Sequence, residues 1–343
     1  MKTTRPSLIL AVSASALLVS LAPAKAVNFT WTNVGTGDWA TGTNWNTGTS
    51  PGGGGGNNAF VNNGGTATIT ADTGAIQDPV VGRGAGSLGT VNHSAGILSA
   101  AAGWAFIGQG GGTGTYNLSG TGVINTGRLY VGVDAGGNGT FNTSSTGINT
   151  IDRVIIGSNG GTGTASVTGG GSFRSNNQMY IGGQRDAVGG TGSLTVNTTG
   201  TVSSGGDFSI GTRSGSGTLN VQNGTVNAAS WMIIGESISG AGGSSGVVNQ
   251  SGGVVNNAVT DGNGRFWMGT LENGASVSSS ATYNLSGGTL NAKNASIGRH
   301  FIGNFNQTGG IANFTAGADV TTIGTVGLHR NVYDECRCDE RRR

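Results

Sequence analysis

"LYVGVDAGGNGTFN" (Leu129–Asn142) and "MYIGGQRDAVGGTGSLTVN" (Met179–Asn197) carry the same order of residues: an alternating apolar triplet, a glycine, a glycine-rich gap, then Gly-Thr or Gly-Ser and a second alternating run. Neither stretch is isolated. An apolar residue followed by glycine recurs at Val81-Gly82, Ile107-Gly108, Val131-Gly132, Ile156-Gly157, Ile181-Gly182, Ile210-Gly211, Ile234-Gly235, Met268-Gly269, Ile297-Gly298 and Ile323-Gly324. Successive glycines fall about 25 residues apart, with longer steps into Gly211, Gly269 and Gly298, a spacing that suits the turn of a solenoid.

Each period divides into three short strands. The first follows the glycine-rich gap, as in "GTYNLS" (114–119), "GTFNTS" (139–144) and "GTLNVQ" (217–222). Its third position is always apolar: Val91, Tyr116, Phe141, Ala165, Leu194, Leu219, Val248, Tyr283 and Phe305. Its fourth is nearly always Asn, so period-two alternation turns the third position inward and the fourth outward. A second strand follows a glycine corner, as in "GVIN" (122–125), "GTVN" (224–227) and "GTLN" (288–291). The third is the strand ending in apolar-Gly, with inward pairs such as Leu129/Val131, Met179/Ile181 and Met232/Ile234.

These features predict an all-β chain, a parallel β-helix of about ten coils with three short strands in each. One coil cannot bury its apolar residues alone, whereas stacked coils share a core and pair every backbone group about 4.8 Å above and below. Ten such coils make a rod of roughly 45 Å. The strong rule for parallel crossovers makes the predicted hand right-handed. Recurrent strand-end asparagines are expected to stack as amide ladders.

Composition agrees with this architecture. The chain has 343 residues, of which 70 are Gly, 4 are Pro and only 9% are charged, with a net charge of +2. Plentiful Val, Ile and Thr assign the glycines to β corners rather than to disorder. The sparse, scattered charge offers no basic stripe for nucleic acid, and no sequence feature calls for a cofactor or defines an oligomeric state.

The chain is expected to be organised as a signal peptide (1–26), an N-terminal capping segment (27–79), the repeats (80–324) and an atypical tail (325–343). Lys2 and Arg5 precede the apolar stretch Leu8 to Ala22, and Ala24-Lys25-Ala26 is a small-x-small cleavage site. The expectation is therefore export, with a mature chain starting at Val27. Cysteine occurs only at Cys336 and Cys338, inside "DECRCDERRR", where eight of ten residues are charged. Two thiols without histidine neighbours do not make a zinc site, and the abrupt change favours a truncated or shifted reading frame.

The opening "WTNVGTGDWATGTNWNTGTSPGGG", with Trp31, Gly37, Asp38, Trp39, Asn44, Trp45, Gly48 and Pro51, and the following "NNAFVNNGGTATI" resemble the start of bacterial autotransporter-type passenger domains and related secreted β-strand-repeat proteins. The resemblance extends over roughly Val27 to Gly324. It implies a surface adhesin or stalk, bacterial cell-surface or extracellular localisation, and the outer-membrane translocation machinery as a partner. Members of this group end in a membrane β-barrel or a short anchoring helix, and neither pattern occurs in this sequence.

Signs of catalysis are few. His93 occupies a strand slot filled elsewhere by Leu118, Thr143, Val167, Val196 or Gln250, while His300 and His329 lie in an insertion and near the tail. Gly242 to Gly246 matches G-x-S-x-G around Ser244, and "GAGSLG" (84–89) imitates a dinucleotide loop. Neither has the strand-turn-helix context its chemistry needs. The enzymatic alternative is a polysaccharide lyase or glycoside hydrolase using clustered carboxylates, with Asp186 and Asp207 flanking one coil near Arg153, Arg185 and Arg213, or a hydrolase using Ser244.

The stronger surface feature lies on the outward positions of the third strand. Phe106, Tyr130, Ile155, Tyr180, Ile233 and Trp267 project between the inward pairs, and Trp104, Arg128, Arg153, Gln178, Trp231 and Arg265 stand one position before them. The candidate ligand-binding stripe is Trp104, Arg128, Tyr130, Arg153, Tyr180, Trp231, Arg265 and Trp267, suited to sugar rings or a partner's surface. Two other outcomes remain open: the insertions in coils 182–211 and 235–269 fold over the stripe, or the register is slipped by one residue.

Overall fold

The computed structural model describes residues 26–52, 56–238, 241–260, 264–272 and 279–315, together with the strand Thr322–Ile323. The fold is an all-β parallel solenoid of about ten turns with a period near 25 residues. Its helical content among the described residues is a single 3-10 turn, Gly42–Asn44.

Two long parallel sheets form the walls. One has 12 strands, running from Asn28–Thr30 through Ile97–Gln109, Val123–Val133 and Met179–Ile181 to Thr322–Ile323. It carries the apolar-Gly strands and is called the stripe sheet below. The other has 15 strands and carries the Gly-Thr strands, such as Thr113–Leu118 and Asn138–Thr143. Equivalent residues of successive turns align, with Phe141 opposite both Tyr116 and Ala165.

The expected second strand is present in register but does not always stand alone. Residues 97–100 pair with 123–126 and 104–107 with 128–131 inside the same continuous strands, with a register shift between Ala100 and Trp104. Elsewhere it joins the first strand, as in Thr191–Ser204, or stands separately, as in Val254–Asn256 and Thr289–Lys293.

The inward positions are those the alternation picks out. Val91, Tyr116, Phe141, Leu194, Leu219, Val248 and Tyr283 are buried with Leu129, Val131, Met179, Ile181, Met232 and Ile234 in one continuous core. Outside it, the Asn column forms the expected ladder. Asn117 donates to Asn92 and Asn142 to Asn117, each at 2.9 Å, and farther along Asn249 donates to Asn220 at 2.9 Å and Asn284 to Asn249 at 2.8 Å. A second ladder runs Asn313 to Asn291 to Asn256 to Asn227 at 2.7 to 2.8 Å.

The glycine of the apolar-Gly motif has a double requirement. At Gly132 φ is +69°, a left-handed conformation, and a Cβ there would come within 1.8 Å of the Thr162 carbonyl oxygen and 2.5 Å of the Gly163 nitrogen. Gly163 opens the Gly-Thr strand of the next turn, and its own Cβ would lie 2.0 Å from the Val131 oxygen. The two glycine motifs are therefore the two sides of one backbone contact between neighbouring turns.

Both sheets run on into the 27–79 segment, where Asn28–Thr30 pairs with Asn58–Val61 and Thr36–Asp38 pairs with Asn63–Ile69. Buried Trp31, Trp39 and Trp45 fill the core at that first turn, with ring centroids 5.0 Å (Trp31 and Trp45) and 4.8 Å (Trp39 and Trp45) apart. The Trp45 indole donates to the Trp39 carbonyl at 2.8 Å. Residues 1–25 of the expected signal peptide (1–26), the charged tail, His329 and both cysteines lie outside the described residues.

Candidate functional site

The outward face of the stripe sheet has the predicted register. Tyr130, Ile155 and Tyr180 group with Val133 and Phe106 in an apolar cluster separate from the main core, on the opposite side of the sheet. They do not form an open stripe, however. Tyr130 is 5% and Tyr180 4% exposed, and Ile155, Ser209 and Ile233 are fully buried.

The cover is the insertion after Gly182. Residues 183–190 return across the face: Asn159 N donates to Val188 O, Gly160 N to Gly189 O, and Gly189 N to Arg213 O, all within 3.0 Å. Arg185 fastens this segment. Its guanidinium meets both Glu236 oxygens at 3.0 and 3.2 Å, Asp207 at 3.4 Å and Glu272 at 3.5 Å, so one side chain ties carboxylates from three turns. Arg153 pairs with Asp186 at 3.4 Å, and Arg213 donates to the Arg185 carbonyl at 2.7 Å.

Burial sets the electrostatics of the covered region. It pushes the Glu236 carboxyl above its ordinary value, with the Arg185 guanidinium pulling the other way. It also pushes the Tyr180 phenol up to about 12, opposed by the charges of Arg185 and Arg153. Tyr180 and Arg153 are therefore packing and pairing residues under the insertion, which corrects their expected place on an open surface.

The remaining stripe residues separate into two patches. In the second patch, Trp231 and Trp267 lie with centroids 4.7 Å apart, Arg265 stands 5.4 and 5.1 Å from their rings, and Arg299 lies 3.6 Å over Trp267. In the first, Phe106 and Tyr130 stack at 5.2 Å with planes 8° apart. Trp104, 44% exposed, stands beside both at 6.2 and 5.8 Å. Arg128 lies 4.8 Å over the Trp104 ring and donates to the Tyr130 hydroxyl at 2.9 Å.

This first patch opens into a cleft of about 210 Å³, with Trp104, Phe106 and Tyr130 on one side and Gln109, Asp134, Ser158, Asn159 and Gln184 among its polar lining. Asp134 sits at the corner with φ +63° and accepts from Gln109 Nε2 at 3.2 Å and Asn159 Nδ2 at 2.8 Å. The polar side of the cleft escaped the sequence reading. Its signal was available as a column, because Gln109, Asp134 and Asn159 come from the corners that follow Gly108, Gly132 and Gly157 in successive turns. Among the described residues no group of three or more His, Cys, Asp or Glu side chains is placed to hold a metal ion.

The remaining candidates have structural roles. Ser244 is buried, donates to the Glu236 carbonyl at 2.7 Å and accepts from Ser214 N at 3.0 Å, so it is a corner fastener and not a nucleophile. His93 is buried between the Tyr116 hydroxyl and the Gly96 carbonyl. His300 Nδ1 accepts from Leu271 N at 3.2 Å. The "GAGSLG" turn leads into the strand Leu88–His93 and not into a helix. Comparison of the chain with protein-family models, with curated proteins and with solved structures gave no match.

Proposed function

We propose that this protein is an exported, surface-exposed structural and adhesive β-solenoid of the autotransporter-passenger type, which binds glycans through the cleft at Trp104, Phe106 and Tyr130. One observation carries the proposal: a stacked aromatic pair and a half-open indole stand beside a row of amide, hydroxyl and carboxylate groups in a single cleft. Sugar rings need that pairing, with flat apolar surface for their C–H faces and hydrogen-bonding groups at the edge. The patch at Trp231 and Trp267 lies five to six strands along the stripe sheet from Trp104, a separation of roughly 24 to 29 Å at one strand spacing per turn. Two weak contacts on one rigid rod gain avidity on a polymeric ligand.

The carboxylates that the enzymatic reading would use, Asp186 and Asp207, pair with Arg153 and Arg185 where the insertion is fastened. Geometry favours binding over hydrolysis on that ground.

The test is affinity electrophoresis in gels containing soluble polysaccharides, comparing the wild-type chain with Trp104→Ala. Retardation that is lost in the variant at unchanged thermal stability supports the cleft. Equal retardation of both removes it. Export is checked by N-terminal sequencing of protein recovered outside the cell, which is expected to begin at Val27.

A further inference from the structure

We infer that the cleft selects uncharged sugar units over sugars carrying a carboxylate, an inference that rests on the glycan-binding reading above. Its basis is the sense of the hydrogen-bonding groups. A carboxylate can only accept, so Gln109 and Asn159 must both turn their NH₂ groups toward Asp134. That fixes the Gln109 amide with its oxygen directed away from Asp134. The Gln109 Oε1 atom is buried and has no hydrogen-bond partner among the described residues.

Two further groups on the same cleft share that condition. Gln184, 5% exposed, leaves its Oε1 without a partner, and fully buried Ser158 leaves its Oγ without one. Buried polar atoms are almost always paired in a protein at rest with its ligand or solvent. Three such atoms belong to residues that line one small cleft, and each lacks a donor. The set is rich in acceptors: two amide oxygens, a hydroxyl and the Asp134 carboxylate. Its complement is a molecule with several O–H donors around an apolar ring.

Charge points the same way. Among the described residues, Asp134 is the one side chain lining the cleft that is charged at neutral pH. Of the neighbouring cations, Arg128 is engaged with Trp104 and Tyr130 and Arg153 with Asp186. A uronate entering the cleft would meet Asp134 with no cation in the cleft lining to offset it, and would bring another acceptor to the amide oxygens. Like charges placed together, and acceptors left unpaired, both count against a ligand.

The experiment uses matched oligosaccharides that differ only at C6, galactose against galacturonate tetramers and glucose against glucuronate tetramers, titrated calorimetrically into the full chain. The neutral member of the preferred pair is expected to bind about tenfold tighter or better, a gap of about 1.4 kcal/mol. Asp134→Asn keeps the shape and tolerates the corner conformation, and it is expected to narrow that ratio to within about threefold. Equal or tighter uronate binding by the wild type overturns the selectivity and leaves glycan binding standing. A ratio that does not move in Asp134→Asn overturns the assigned cause. Failure of neutral and acidic members of both pairs, and of neutral mannose and xylose chains, takes away the glycan reading itself.

Discussion

The imidazole Nδ1 of His93 lies 2.8 Å from the Tyr116 hydroxyl of the next turn, inside the core. Its Nε2 lies 3.0 Å from the Gly96 carbonyl and must donate to it, and in the neutral ring that burial favours, Nδ1 accepts from the tyrosine. The same arrangement recurs farther along. Gln250, in the same strand slot as His93, accepts from the Tyr283 hydroxyl at 2.5 Å and donates to the Thr289 carbonyl at 3.0 Å. Each core tyrosine of the Gly-Thr strands thus brings a polar partner from the turn before it.

Burial lowers the His93 pKa below its ordinary 6.5, with hydrogen bonds to backbone opposing. A base that is harder to protonate folded than unfolded gives the unfolded chain more protons below 6.5, so stability is complete above that value and falls as pH drops through the window beneath it. His93→Gln is expected to keep the tyrosine bond, by analogy with Gln250, and to flatten this dependence. Thermal unfolding at about pH 7.5 and about pH 5 checks it; an unchanged difference between the two pH values would exclude His93 as its source.

Gly132→Ala is expected to lose about 2 kcal/mol or more, because left-handed strain and the close approach to Thr162 add. Gly110 also has positive φ, +56°, but open space where a Cβ would go. Gly110→Ala should therefore cost only the strain, about 1 kcal/mol. Chemical denaturation of the pair separates packing from conformation.

Arg185→Met leaves Glu236, 2% exposed, without its bidentate partner, a loss on the order of 3 kcal/mol at neutral pH. The loss should shrink in acid, where the buried carboxyl is neutral. Adding Glu236→Gln should restore much of it. Protease cleavage within 183–190 gives the readout, rising sharply in the single variant and falling back in the double.

Asn249 stands inside its ladder with a bond on each side, whereas Asn306 has a single bond, to Asn284. Asn249→Ala is expected to cost about twice as much as Asn306→Ala, roughly 1 kcal/mol per bond at most. Equal unfolding midpoints for the two variants would show that the ladder adds nothing beyond its individual side chains.

The solenoid was legible because its marks repeat. Glycine returns at each corner, the third strand position is apolar in every turn, and Asn follows it, so inside and outside could be assigned from residues such as Phe141 and Asn142. The first turns were less visible. There Val61 is followed by Asn62 where later turns have glycine, and both sheets continue without the motif. The cover over Tyr180 showed in the sequence only as the longer step into Gly211, which raised the possibility of a folded-over insertion without its contacts. Arg185 finds Asp207 and Glu236 at sequence separations of 22 and 51, contacts made once, by a returning loop, that no repeat could announce. Six of the eight stripe residues, Trp104, Arg128, Arg153, Trp231, Arg265 and Trp267, keep the partial exposure that alternation implied, whereas Tyr130 and Tyr180 are buried.

The backbone contact between Gly132 and Gly163 fixes where one turn touches the next, and it counts nothing that happens between the two glycine motifs within the connecting corner. The long corners after Gly182, Gly235 and Gly269 all fall in that uncounted interval. It lies at the end of the stripe-sheet strands, and the insertion 183–190 made there lands on the aromatic face. The lattice thus tolerates new surface beside the aromatic face, and leaves the rod's own pitch untouched. Such a chain can change what it meets without relearning how to fold.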